Sequence, residues 1–154
     1  MNSRAIFSVV SGSSLVGEPN RIFISEGTFL ADEEARGWKR CSEQLDSIRA
    51  LRKDWDDAGA RPIPTAIVDN TGIILEQFRA SGFPVPSRVV PSPVGTIVVE
   101  WQGSQVHIEV EIAGPYTLEW MLKSGDKPAV HIPETITDEW LLRGESLMAH
   151  GRAR

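Results

Sequence analysis

The stretch Gly95-Thr96-Ile97-Val98-Val99-Glu100-Trp101-Gln102-Gly103-Ser104-Gln105-Val106-His107-Ile108-Glu109-Val110-Glu111-Ile112 decides the architecture. On either side of Gln102-Gly103-Ser104-Gln105, apolar residues fall at every second position, which is the period of a strand with one face in a core. A two-residue turn at Gly103-Ser104 would set Trp101 opposite Val106, Val99 opposite Ile108 and Ile97 opposite Val110. The second face would then pair Glu100 with His107, Val98 with Glu109 and Thr96 with Glu111. A slip of one residue would mix the two faces, so this register is expected to be strongly specified.

The next strand obeys the same test. A two-residue loop after Ile112 puts Val110 opposite Thr117. A three-residue loop, Ala113-Gly114-Pro115, pairs Ile112 with Tyr116, Val110 with Leu118 and Ile108 with Trp120. It also sets Glu109 directly opposite Glu119, a like-charge pair that opposes folding. Beyond the turn Lys123-Ser124-Gly125-Asp126, a short strand is expected from Ala129 to Ile132. Upstream, prolines between Phe83 and Pro93 leave room for at most a short edge strand, Arg88 to Val90.

Before the strands the period changes. Trp38, Cys41, Leu45, Ile48 and Leu51 recur at three- and four-residue steps, which predicts a helix from Ala31 to Lys53 with Trp55 on the same face. Asp32, Glu33 and Glu34 at its start and Arg49, Arg52 and Lys53 at its end suit the helix dipole. A second helix follows Pro64-Thr65, with Ile67, Ile74, Leu75 and Phe78 on one side, Gly72 inside it and Gly82 beyond its end. After the last strand, Thr135 and Asp138 have the spacing of a capping box for a final helix through Ile136, Trp140, Leu141 and Leu147, weakened by Gly144. The expected fold is α+β: two antiparallel helices packed on an antiparallel β-meander of about four strands, plus a C-terminal helix. Residues 1–30 form an N-terminal arm or short hairpin, from Ala5–Val10 and Arg21–Ile24, and residues 31–154 a single α+β domain.

Between the first two helices lies Lys53-Asp54-Trp55-Asp56-Asp57-Ala58-Gly59-Ala60-Arg61-Pro62. It is an aromatic anchor, three carboxylates and a forced change of direction. Together, Leu45-x-x-Ile48-x-x-Leu51-x-x-Asp54-Trp55-Asp56 with Gly59-Ala60-x-Pro62, and Pro91-Ser92-Pro93-x-Gly95-x-Ile97-x-x-Glu100-Trp101 with Ile108-Glu109-Val110-Glu111-Ile112, carry a resemblance. They resemble a widespread group of small bacterial proteins with a Leu-x-x-Leu-x-x-(Asn/Asp)-Trp-Asp-Gly-x-Gly-Ala-x-Pro motif and a following Gly-x-Ile-x-Leu-Glu-Trp / Ile-Glu-Ile hairpin. The match runs from Leu45 to Trp120, and Asp57 stands where the group usually has Gly. The group has no established function, so the resemblance implies a family and no activity.

Composition narrows the function classes. The 154 residues, 41% hydrophobic and 24% charged, suit one globular domain able to bury roughly 70% of its unfolded surface. With 21 acidic against 16 basic residues the net charge is −5, which disfavours broad binding to a phosphate backbone. The single cysteine, Cys41, excludes an intrachain disulfide and a multi-cysteine zinc site, and its place on the apolar stripe reads as a buried thiol. No apolar run reaches the roughly 20 residues of a membrane span, and Met1–Val10 is too weakly apolar for a secretory signal. A cytoplasmic location is expected.

No nucleophile elbow, phosphate-binding loop or dinucleotide fingerprint occurs. Asp54, Asp56 and Asp57 resemble the opening of a calcium loop, but the twelve-residue pattern is missing and prolines interrupt it, so a solvated helix end is the better reading. Glu100, His107, Glu109, Glu111 and Glu119 gather on the sheet face turned from the core. Carboxylates beside an imidazole are raw material for a metal site or acid–base pair, yet a flat solvated sheet offers neither pocket nor exclusion of water. These five are therefore the candidate partner-binding residues, with Trp55, Gly59, Trp101 and Trp120 structural, and no catalytic residue, metal or cofactor is expected. The reading is a non-enzymatic interaction module for a basic protein partner, antitoxin-like, immunity-like or inhibitory. Its rivals are a metal-dependent enzyme using the Glu/His set and a nucleic-acid binder using Arg143, Arg152 and Arg154.

Overall fold

The computed structural model describes residues 26–137 and 139–152. Its elements are α1 (Glu26–Arg49), α2 (Thr65–Ala80), β1 (Arg88–Pro91), β2 (Ile97–Gln102), β3 (Val106–Ile112), β4 (Thr117–Ser124), β5 (Val130–Thr135) and α3 (Trp140–Arg152). The α+β class holds. The sheet is an antiparallel meander in the order β1-β2-β3-β4-β5, five strands where about four were expected, because the proline-flanked Arg88–Pro91 segment pairs fully with β2. The hairpin segments expected within residues 1–25 lie outside the described residues.

Both inner hairpins keep the expected faces and change the expected partners. Trp101 meets Ile108, Val99 meets Val110 and Ile97 meets Ile112, so each β2 residue has moved along β3 by two positions. The turn is Ser104-Gln105, closed by a hydrogen bond from Gly103 N–H to the Val106 carbonyl at 2.8 Å. The physical reason lies in what each register spends. The Gly103-Ser104 turn would have set Ile112 opposite Gly95, whereas the observed one gives three pairs of core residues and leaves half-buried Val106 to Gly103. The Gln105 carbonyl also accepts a hydrogen bond from Gly125 N–H in the β4–β5 turn, at 2.8 Å. Between β3 and β4 the same shift of two occurs: Ile112 meets Leu118 and Val110 meets Trp120, and Ile108 meets Leu122. Tyr116 moves into the loop, where it is 69% exposed.

Apolar side chains of α1 and α2 lie on the Trp101–Trp120 side of the sheet. From α1 come Trp38, Cys41, Leu45 and Ile48, and from α2 Ile67, Val68, Ile74, Leu75 and Phe78. The helices run antiparallel, since Arg49 pairs with Asp69 at 2.7 Å while Leu45, one turn back, lies over Gly72, one turn on. Gln44 reaches from α1 to accept the Val89 N–H at 2.9 Å. Phe78 is the hub of an aromatic cluster, with ring centroids 4.7 Å from Phe83, 5.1 Å from Trp101, 5.3 Å from Trp140 and 5.8 Å from Trp120. Such offset and edge-on contacts each contribute about 0.5–1.5 kcal/mol beyond the buried area.

Helix α1 ends at Arg49 rather than continuing to Lys53, and Trp55 lies in the following loop. Two non-glycine residues, Asp54 and Asp57, have φ of +63° and +56°, and Gly59 has +91°. The left-handed conformation at Asp57 is one that glycine favours and aspartate tolerates better than most residues. Helix α3 also begins later than expected. Thr135 is the last residue of β5, paired with Thr117, so it cannot cap a helix. Asp138 lies outside the described residues, and Thr137 Oγ1 accepts the Glu139 N–H at 3.4 Å. Gly144 has a packing reason: a Cβ there would stand 2.7 Å from two ring carbons of Trp120 and 2.9 Å from Phe83 Cζ.

Candidate functional site

Because alternation along each strand sends one set of side chains into the core, it must send the other to the opposite face. That face is built in two cross-strand rows. One runs Arg88, Glu100, Glu109, Met121, His131 from β1 to β5, and the next runs Val90, Val98, Glu111, Glu119, Pro133. Among the described residues, the core formed by the helices and the sheet draws none of its members from these rows. The face therefore holds all four candidate glutamates, in adjacent rows.

The register shift changes which charges meet. Glu100 lies opposite Glu109 instead of His107, which is paired with Gln102, and Glu119 lies opposite Glu111 instead of Glu109. Both rows thus contain a direct carboxylate–carboxylate neighbour pair, where one had been expected. Relief is partly internal. Thr96 Oγ–H donates to Glu111 Oε1 at 2.5 Å, and His131 Nδ1 lies 2.7 Å from Glu119 Oε1.

Glu100 departs most from expectation. It is 4% exposed, although it belongs to the polar face. Arg88, itself more than half exposed, donates from Nε to Glu100 Oε2 at 2.6 Å. The hydrogen bond and the charge of Glu100, with Glu109 adding to them, raise the Arg88 pKa above its ordinary value, so the guanidinium stays charged. His107 Nε2 lies 2.5 Å from Glu109 Oε1. One ligand atom each from Glu100, His107 and Glu109 falls within 4.8 Å of the others.

The remaining candidates separate from this cluster. Trp101 and Trp120 are core residues, as expected. Trp101 donates its indole N–H to the Pro84 carbonyl at 2.8 Å, while the buried Trp120 Nε1 has no hydrogen-bond partner among the described residues. Trp55 is half-buried, outside the core, and donates to the Arg61 carbonyl at 3.1 Å. It ties down the loop rather than filling the space between helices. In that loop the acidic side chains serve the backbone. Asp54 Oδ1 accepts the Gly59 N–H at 2.6 Å, and Asp56 Oδ1 accepts those of Ala58 and Ala60 at 3.0 and 2.9 Å. The amides of Ala60 and then Ala58 hold the Asp56 carboxyl below its ordinary pKa. Cys41 is buried, and that burial pushes its thiol pKa up, which suits an inert core thiol.

Of the basic residues considered for nucleic acid, Arg143 is held by Glu134 Oε2 at 2.9 Å, and Arg154 lies outside the described residues. A groove of about 350 Å³ between Pro84, Trp101 and Met148 is lined by no titratable side chain. No described helix is long and apolar enough to cross a membrane. Sequence reasoning missed Arg88 and His131 as members of the polar face. The signal was present in the alternation of their short strands, but fixing their neighbours needed the registers. Comparison with family models, curated proteins and solved structures finds no match for this chain.

Proposed function

We propose that this chain is an interaction module that binds a basic partner protein through the polar face of its sheet. The observation that supports it is the run of Glu109, Glu111 and Glu119 in two adjacent rows, with like charges directly opposed and no helix of the described core over them, whereas the expected contact Glu100 is buried against Arg88 and leaves the docking set. Opposed carboxylates cost a few tenths to about 1 kcal/mol per pair in a folded sheet. Lysines and arginines of a partner remove that cost on docking and steer its approach. An inhibitory, antitoxin-like or immunity-like role is the concrete form of such stoichiometric binding.

The test is a quantitative capture from cell extract with the wild-type chain and with a Glu111→Gln/Glu119→Gln double variant, at low and high salt. The expected result is a stoichiometric basic protein that the wild type retains at low salt and the variant loses. The variant itself should fold at least as stably as the wild type. Equal capture by both chains with equal salt dependence would remove the acidic face from the interface.

A further inference from the structure

We propose that Glu100, His107 and Glu109 form a binding site for a divalent first-row transition-metal ion of the manganese-to-zinc series. The inference goes beyond partner docking and concerns the three residues at the β2–β3 end of the face, not the Glu111–Glu119 pair.

Three features carry it. The first is convergence. One carboxylate oxygen from each glutamate and one imidazole nitrogen lie within 4.8 Å of one another. Donors bound at about 2.0–2.2 Å around one ion need only a modest closing of these side chains. They come from two adjacent strands joined by a tight turn, so the backbone that presents them is held by the hairpin ladder.

The second feature is the state of Glu100. It is 96% buried, being 4% exposed, and its cross-strand neighbour is another carboxylate. A buried carboxylate is costly unless charge and hydrogen bonds compensate it on both oxygens. Arg88 engages Oε2 at 2.6 Å, and the opposing Glu109 carboxylate has no such cation of its own in this row. A cation between Glu100 and Glu109 offsets the opposed charges of the two carboxylates.

The third feature is donor chemistry. Two carboxylates and an imidazole are a mixed oxygen and nitrogen set, which suits manganese to zinc better than calcium or magnesium, whose sites are built from oxygen. An ionised carboxylate only accepts, so Nε2–H of His107 donates to Glu109 in the metal-free site. On binding, Nε2 gives its lone pair to the ion, and its proton leaves for Nδ1 in the neutral ring or for solvent from the imidazolium. The Nε2–H bond and its hydrogen bond to Glu109 are given up, Nε2 and the Glu109 oxygen both turn to the ion, and water fills the remaining coordination positions.

The experiment uses the untagged, full-length chain and Co²⁺ and Zn²⁺ alone as probes. Titration with Co²⁺ should give visible d–d absorption saturating at one ion per chain, displaced by Zn²⁺, and calorimetry with Zn²⁺ should give the same stoichiometry. His107→Gln and Glu109→Gln should each weaken binding at least tenfold, with far-UV circular dichroism confirming that each variant folds. The control is Glu111→Gln, which removes the same charge from the same face but lies outside the triad, and it should bind as the wild type does. Absence of a saturating Co²⁺ spectrum overturns the site. So does a loss in Glu111→Gln equal to that in Glu109→Gln, since it reports diffuse attraction to acidic residues. Neither outcome touches partner docking, which is read from the Glu111→Gln/Glu119→Gln capture.

Discussion

Two of the helical glycines, Gly72 in α2 and Gly144 in α3, predict opposite answers to the same substitution. Gly144→Ala and Gly72→Ala each gain the intrinsic helix preference of alanine over glycine, about 1 kcal/mol. At Gly72 the new methyl would stand 3.5 Å from Leu45 Cδ2, an ordinary van der Waals contact, so the gain survives and stability rises by about 0.5–1 kcal/mol. At Gly144 the methyl would stand 2.7 Å from Cη2 and Cζ2 of Trp120 and 2.9 Å from Phe83 Cζ. Neither ring has room to retreat. Trp120 is fully buried and stacked on Trp101 at 6.3 Å, and Phe83 is held against Phe78 at 4.7 Å. Overpacking of this kind costs about 1–3 kcal/mol, and two rigid aromatic neighbours place it near the upper end. Subtracting the helix gain leaves a net loss of about 2 kcal/mol, which is roughly 4–8 °C in Tm for a domain of this size. Urea melts followed by tryptophan fluorescence measure both variants, and a lowered m-value in Gly144→Ala would mark α3 lifting from the sheet. A Gly144→Ala midpoint equal to or above that of the wild type would refute the packing argument.

Two further outcomes follow from the loop between α1 and α2. The Asp56 carboxyl has a folded-state pKa below its unfolded value, so its contribution to stability is present above the ordinary aspartate pKa and is lost as pH falls through the folded value. The difference in urea midpoint between wild type and Asp56→Asn should therefore shrink as the pH is lowered from neutral through the acid range; a constant difference would show that the charge on Asp56 plays no part. Trp55→Ala should cost about 1–2 kcal/mol, for one hydrogen bond and a half-buried ring, against about 3–5 kcal/mol for Trp120→Ala in the core. Equal losses in denaturant melts would mean that Trp55 is a core anchor after all.

What the sequence disclosed follows from what periodicity encodes. A repeat of two fixes the face of every strand residue, and Trp101, Ile108 and Trp120 are buried accordingly. It does not fix the partner, because a shift of two residues preserves every face. The choice between registers depended on burying Ile112 rather than Val106 and on placing Tyr116 in water, energies set by the whole sheet. The candidate face was legible as a set of residues, while its charge geometry was not: the Glu100–Glu109 and Glu111–Glu119 neighbours follow from the register alone. Burial of Glu100 left no local signal, since its strand reads the same with that carboxylate wet or dry. The helix ends failed for a related reason. Capping patterns such as Thr135 to Asp138 are local, and pairing of Thr135 with Thr117 overrode them.

A five-stranded meander that does not close on itself has two borders, and each could serve as a template for a foreign strand. In this chain both are blunted. At β1 the amide of Val89 is already taken by the Gln44 side chain, and the strand stops at Pro91. At β5 the row of donors is interrupted by Pro133, which has no N–H to offer. Sheet extension by another chain, the shortest route to amyloid-like stacking or to strand-swapped assembly, meets a gap at either side. The docking proposed above would therefore use the side chains of the sheet face, where sequence can specify the partner, rather than main-chain ladders, which accept any extended peptide.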